Sequence, residues 1–161
     1  MRVHHNFHEF ANAICSRLVL PFVRLENRDT SMGRARTILV VDDVSCIREI
    51  VRIILEDHGQ RVLEAETGDE ALAMMAALAG EVGLLFSDIM MPGNLNGLEL
   101  AEHVRARWPG VPILLTTGFF AGQHFGGKLR YPVLKKPYRA AELIGYVEKL
   151  IDEQESYRAS A

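Results

Sequence analysis

From residue 37 onward, short apolar runs alternate with helix-patterned segments, and this alternation constrains the fold more than any other feature of the chain. Four of the runs stop abruptly at polar side chains: 37–41 before Asp42 and Asp43, 82–86 before Asp88, 111–115 before Thr116 and Thr117, and 133–134 before Lys135 and Lys136. Runs of this kind read as buried strands of a parallel sheet with helices on its faces. All strands of such a sheet end at one edge, and ligands sit in the crevice outside those ends. Carboxylates, a hydroxyl and an ammonium that lie far apart in sequence are therefore expected at one spot.

The intervening segments carry the matching helical signals. Residues 44–57 place Ile47, Ile50, Val51, Ile54 and Leu55 on one face, with Gly59 as the stop. A second strand over Arg61–Ala65 precedes a helix over 67–79, opened by Thr67 with Glu70 three residues on as a capping box. A helix over 97–108 stops at Pro109 and Gly110. The stretch 118–130 holds Gly118, Gly122, Gly126 and Gly127, so any helix there is expected to be short or frayed. Helix 139–152 closes the pattern, with Leu143, Ile144, Val147, Leu150 and Ile151 inward. A chain of 161 residues holds one domain of this kind, not two. The expected division is an N-terminal extension over 1–35, the domain over 36–153 and a C-terminal tail over 154–161.

The chemistry follows from the side chains at the strand ends. Asp42, Asp43 and Asp88, crowded together, repel one another unless a cation is present. Magnesium suits them: it takes carboxylates, a carbonyl oxygen and waters, and leaves room for phosphate oxygens. Lys136 adds a fixed positive charge and Thr117 a hydroxyl donor, the parts needed to balance charge on a transferring phosphoryl group. A carboxylate in line with that group can act as nucleophile and become an aspartyl phosphate.

These motifs, Val-Val-Asp42-Asp43, Asp88-Ile-Met-Met-Pro92 with Gly97, Thr117-Gly118 and Lys136-Pro137, resemble in order the signature of two-component response regulator receiver domains. The resemblance covers roughly residues 36–152. It implies an α/β fold: a flavodoxin-like, doubly wound, five-stranded parallel sheet of order 2-1-3-4-5. It also implies that Asp88 is the phosphoacceptor and that Asp42 and Asp43, with the main-chain carbonyl of Met90, hold Mg2+ beside it. Thr117 would bind a phosphoryl oxygen, and Lys136 would pair with the phosphate across a cis bond to Pro137. Thr116 and Thr117 point to opposite faces of a strand; Thr117 is preferred because it precedes Gly118, where a phosphate can approach the backbone. Lys135 diverges from Lys136 in the same way and reads as a solvated lysine.

Two departures from the family pattern stand out. Val133 occupies the place of an aromatic residue that swings inward after phosphorylation, and it is too small and stiff for that role; Phe119, Phe120 and Tyr131 are candidates to replace it. The loop between Asp88 and Gly97 is one residue longer than in chemotaxis-type receivers, as in receivers of hybrid histidine kinases, which the Thr-Gly-Phe-Phe run also resembles.

The resemblance implies a single-domain receiver, not an enzyme beyond its own phosphorylation and dephosphorylation. Its partners would be a histidine kinase or phosphotransfer protein and an unknown downstream protein. Output is expected from 118–130, the fifth strand and the last helix, with the protein a monomer or a weak phosphorylation-dependent dimer. Two other readings compete. A haloacid-dehalogenase-like phosphohydrolase needs Asp-x-Asp after its first strand, where this chain has Asp42-Asp43. A pseudo-receiver would lack some of the required side chains, all of which are present. Acidic residues at strand ends can also simply cap helices, as Asp43 could for 44–57.

Composition excludes other classes. A net charge of −3 gives no hint of a nucleic-acid surface. No stretch reaches the roughly 18 apolar residues of a membrane span, and Arg17 and Pro21 interrupt the apolar run over 10–23 and spoil it as a secretory signal. A cytoplasmic protein with plain thiols at Cys15 and Cys46 is the expectation. In the extension, His4, His5 and His8 lack partner ligands at metal-binding spacing. Three accounts of this segment stay open: a mobile or weakly helical extension, a true start at Met32, or a docking helix with Phe7, Phe10, Ala11, Ile14 and Leu18 on one face.

Overall fold

The computed structural model describes residues 36–78, 80–118 and 130–160. The expectations for the N-terminal extension and for most of the stretch 118–130, including Phe119 and Phe120, lie outside the described residues. The elements run β1 (Thr37–Val41), α1 (Ser45–Asp57), β2 (Arg61–Ala65), α2 (Gly68–Ala77), β3 (Val82–Asp88), α3 (Gly97–Arg107), β4 (Ile113–Thr117), β5 (Val133–Lys135) and α4 (Ala140–Ala159). The strands form one sheet in the order β2-β1-β3-β4-β5, and every neighbouring pair is parallel. This is the expected doubly wound arrangement.

Each sheet face has its own apolar layer, because side chains alternate along a strand. Leu39, Val41, Leu85, Ile113 and Leu115 pack with Ala71 and Met75 of α2 and with Leu100, Ala101 and Val104 of α3. Ile38, Val40, Leu84, Phe86, Leu114 and Leu134 pack with Val51 and Leu55 of α1 and with Leu143, Ile144 and Val147 of α4. All five residues of β1 are buried, as a central strand covered on both faces requires. The alternation carries the site. By the same two-residue period, Asp42, Asp88, Thr116 and Lys136 continue the row of Val40, Phe86, Leu114 and Leu134 on the α1/α4 side.

Several boundaries differ from the sequence reading, and the differences bear on the site. Strand β3 runs two residues beyond 86, so Asp88 is the last residue of the strand rather than one residue clear of its end. Strand β4 is shifted to 113–117, because residues 111–112 still belong to the connection from α3; both threonines are therefore strand residues, and both are buried. The capping box at Thr67 is only half formed. Thr67 Oγ1 accepts from the Glu70 N–H at 3.2 Å, but the Glu70 carboxylate accepts from Glu66 N–H instead. A complete box opens α3: Asn96 Oδ1 accepts from Leu98 and Glu99 N–H, and Glu99 Oε2 accepts from Asn96 N–H.

Helix α4 continues past the expected stop at 152 through Ala159. Its last turns are tied down by an ion pair between Glu155 and Arg36, and by Arg158 Nη2 donating to the Gly110 carbonyl. Cys46 in α1 is disulfide-bonded, contrary to the expected plain thiol. At the sheet edge remote from the site, the β1–β3 pairing shifts register: Thr37 faces Val82 but Ile38 faces Leu84, which leaves Gly83 unmatched. Among the described residues, no helix is long and apolar enough to cross a membrane.

Candidate functional site

The ends of β1, β3, β4 and β5 are fastened to one another before any side chain takes part. Ile89 N–H donates to the Thr116 carbonyl at 2.9 Å, and Lys136 N–H donates to the Thr117 carbonyl at 2.7 Å. Asp42 N–H donates to the Ala65 carbonyl at the end of β2. The side chains that follow are thus held by the sheet itself, as a site built on rigid elements requires.

Asp42, Asp43 and Asp88 each present a carboxylate oxygen, all within 4.8 Å of one another. Asp42 is 2% exposed and Asp88 7%, while Asp43 is half-buried at the open side. Asp42 Oδ1 accepts from Val44 N–H at 2.9 Å, its main-chain carbonyl accepts from Arg48 Nη1 at 2.6 Å, and Asp88 Oδ1 accepts from Met90 N–H at 3.0 Å. The chain at Met90 therefore folds back over the Asp88 carboxylate, with the Met90 side chain turned out and 63% exposed. The residue at the N-cap of α1 is the apolar Val44.

Lys136 bridges the acids. Its Nζ donates to Asp42 Oδ2 at 2.6 Å and to Asp88 Oδ2 at 2.5 Å. Burial pushes the Asp42 carboxyl up from its ordinary value, Lys136 opposes that shift, and Asp88 adds to it. Burial alone would push the Lys136 ammonium down, but Asp88 and Asp42 together outweigh it and raise its pKa, so it stays protonated. Lys136 is joined to Pro137 by a cis peptide bond, as expected. Lys135, as expected, is exposed.

Thr117 is 6% exposed at the end of β4, and its hydroxyl makes only a long 3.4 Å contact with the Gly118 carbonyl. That hydroxyl is weakly engaged and free to find a better acceptor. Thr116 sits directly opposite Asp88 in the β3–β4 register.

A divalent cation fits this donor set. Three carboxylates gather beside the Lys136 ammonium, an oxygen-rich donor set of the kind a hard dication takes. One oxygen from each carboxylate lies within 4.8 Å of the others, near enough for all three to converge on one ion, and Asp43 is only half-buried. Bound Mg2+ would neutralise charge on a phosphoryl group beside Asp88.

Sequence reasoning missed two contributors, Arg48 and Tyr138, and the reason for a third, Gly97. Arg48 on α1 holds the Asp42 carbonyl, and nothing at that helical position advertises it. Tyr138 lies over the α1/α4 layer, its ring edge-on to Phe86 with centroids 6.2 Å apart. Gly97 belongs to the quoted motif, but its reason appears only here: a Cβ would stand 1.9 Å from the Asp88 carbonyl oxygen. The signal for it was a glycine directly after the Asn96 cap.

A family model described as the response regulator receiver domain matches residues 38–155. The chain is 29% identical over 130 residues to the sensor kinase CckA of Brucella abortus (strain 2308), a match that covers 78% of this chain and 14% of that protein. It is 33% identical over 122 residues to the nitrogen assimilation regulatory protein NtrX of Azorhizobium caulinodans, covering 73% of this chain and 26% of that one. The chain thus spans only a minor part of these relatives. Among solved structures, the receiver domain of the hybrid histidine kinase CckA superposes with a TM-score of 0.61 at 30% identity, over 71% of this chain and 98% of that one. A response regulator receiver protein from Sinorhizobium medicae WSM419 gives 0.68 at 26% identity, over 75% and 98%.

Proposed function

Since this chain belongs to the response regulator receiver family, whose domains take a phosphoryl group on an aspartate with Mg2+, we propose that Asp88 is its phosphoacceptor. The observation that carries this reading is the convergence of Asp88, Asp42, Asp43 and Lys136 from three strand ends. Asp88 is the carboxylate at the end of the central strand, flanked by the other acids on one side and by β4 on the other. One Asp88 oxygen attacks the phosphorus of the donor, and the bond from phosphorus to the leaving group breaks as the new one forms: P–N to the imidazole of a phosphohistidine, P–O to the acetate of acetyl phosphate. Asp42, Asp43 and the Met90 carbonyl would hold the cation. Lys136 exchanges its bond to Asp88 Oδ2 for one to the phosphoryl group, and the Thr117 hydroxyl donates to a second phosphoryl oxygen. The donor is a histidine kinase or phosphotransfer protein, the classes with which receiver domains interact. Likeness to the receiver of a hybrid kinase favours a phosphorelay. The signal leaves by contact with a downstream protein.

The phosphohydrolase reading has nothing further in its favour, because the acid pair after β1 is adjacent and the family match is to receivers. Incubation with acetyl phosphate and Mg2+ tests the proposal. Intact mass is expected to rise by one phosphate, with no labelling in Asp88→Asn or in chelator. Wild-type labelling of Asp88→Asn would overturn the assignment.

A further inference from the structure

The main chain of Asp42 is tied toward β2 on both sides, and one of the ties is a guanidinium. Its N–H donates to the Ala65 carbonyl at 3.3 Å, and its carbonyl accepts from Arg48 Nη1 at 2.6 Å. Arg48 Nε lies 3.8 Å from Glu64 Oε1, and Glu64 directly precedes Ala65 on β2. Strand β2 adds no carboxylate to the acidic cluster, yet its last two residues hold the end of β1 that does.

Charge alone argues against an arginine here. Arg48 lies one turn into α1, near the positive end of the helix dipole, and that first turn carries no acidic residue. It is also bonded to a residue of the cluster that would hold a dication, and one cation beside another is unfavourable. Its side chain is nonetheless only 15% exposed, and a guanidinium so placed needs partners. It has two: the Asp42 carbonyl, and the Glu64 carboxylate that offsets its charge.

The carbonyl bond fixes one particular peptide. Val44 N–H donates to Asp42 Oδ1 at 2.9 Å, so residues 42–44 form a turn closed by the side chain of Asp42 itself. The peptide joining Asp42 to Asp43 lies inside that turn, and Arg48 holds its oxygen. Rotation of this peptide would swing one acid relative to the other.

We infer that Arg48 is a positioning residue for the cation site: by holding the Asp42 carbonyl, it sets how Asp42 and Asp43 present their carboxylates to one ion. The inference rests on the reading that these acids take Mg2+. Arg48 acts through the peptide and not by contact with the ion. A guanidinium that served only as a nearby positive charge would weaken Mg2+ binding, and its removal would tighten it. Removal of a positioning residue loosens it, so the two roles differ in sign.

The full chain carrying Arg48→Met tests this, with Arg48→Lys as the variant that keeps a cationic donor. Mg2+ affinity is read without phosphodonor by NMR titration, and melting is followed in chelator. Arg48→Met is expected to bind Mg2+ about tenfold more weakly, the usual effect of losing a group that orients a metal ligand. Arg48→Lys is expected to lose less. Labelling of Arg48→Met by acetyl phosphate should need correspondingly more Mg2+ and reach the wild-type rate at saturation. Tighter Mg2+ binding in Arg48→Met overturns the inference, and so does unchanged affinity, with or without a lower melting temperature. A loss undiminished in Arg48→Lys, or a labelling rate that stays low at saturation, overturns it too. Metal-free protein supplies a separate reading: the Val44 amide is expected to exchange faster in Arg48→Met, because its acceptor sits on the turn that Arg48 holds. Unaltered Val44 protection overturns the positioning role. If wild type does not bind Mg2+ at all, the metal reading fails on its own, and the Val44 amide still judges Arg48.

Discussion

Replacing Lys136 by Met should be the most damaging single change at the site, and it should damage stability in a way that pH and metal can undo. Methionine keeps the apolar stem and removes the ammonium. That strands two carboxylates whose side chains are 3% and 10% exposed, Asp42 and Asp88, with no opposite charge in hydrogen-bond contact. Removing one partner from a buried ion pair costs about 3–5 kcal/mol. For a domain of this size each kcal/mol lowers Tm by roughly 3–4 °C, so a drop of about 10–20 °C is expected at pH 7 in chelator. The sign of the pH dependence follows from Asp42. Its pKa is already raised above the ordinary carboxyl value of 3.8 by burial, against the opposing pull of Lys136. Without Lys136 it rises further. A carboxyl with a raised folded-state pKa holds its proton in the folded protein after the unfolded chain has lost it, so stability falls as pH rises from about 3.8. The deficit should therefore be small in acid and widen toward neutrality. Magnesium should stabilise the variant more than wild type, because no ammonium competes for the carboxylates. Differential scanning calorimetry over pH 4–8, with and without Mg2+, measures all of this. A deficit under about 2 °C at pH 7, or one independent of pH, refutes the account of Lys136 as the charge that makes these acids tolerable.

Three further outcomes follow from the same geometry. Asp42→Asn keeps the acceptor for Val44 N–H and leaves Lys136 to Asp88, so it should raise Tm in chelator at pH 7; calorimetry should show the gain shrinking as pH falls toward 3.8, because wild-type Asp42, its carboxyl pushed up by burial, takes up its proton in the folded protein above that pH. Gly97→Ala should destabilise by about 1–3 kcal/mol or more in urea unfolding and slow labelling, because its Cβ would meet the Asp88 carbonyl at 1.9 Å; equal stability would mean the loop moves freely. Gly145→Ala is the counterpart in α4, where a Cβ meets nothing within 4 Å, and it should stabilise by about 0.5–1 kcal/mol with labelling unchanged.

The strand order and the meeting of Asp42, Asp88 and Lys136 were legible because they depend on periodicity and on where apolar runs stop. Buried strands announce themselves, and a parallel sheet gathers their ends whatever the detail between. Boundaries set by polar residues were not legible. Strand β3 continues through Ser87 and Asp88, and β4 through Thr116 and Thr117, because backbone pairing to neighbours extends past the last apolar side chain. The choice of Thr117 over Thr116 rested on Gly118. The weakly engaged Thr117 hydroxyl is compatible with it, while the burial of Thr116 opposite Asp88 is a tertiary fact that no local pattern encodes. The final helix was cut short because its last turns offer little apolar periodicity; Glu155 and Arg158 hold it through contacts over 48 and 119 residues of separation.

The unmatched residue at Gly83 decides how the molecule tolerates changes in length. Beyond it, Ile38 to Val41 pair in step with Leu84 to Ser87, and that phase keeps Asp42 beside Asp88. Before it, β3 emerges from the connection after α2 with one residue to spare. The mismatch is thus taken up at the opposite end of the strands from the acids. There, a Cβ on Gly83 would stand 3.2 Å from Arg36 Cβ, so bulk is resisted even though slack is allowed. Gly83 works as an expansion joint: a residue gained or lost in the α2–β3 connection can be absorbed there, and the acids at the far end keep their alignment.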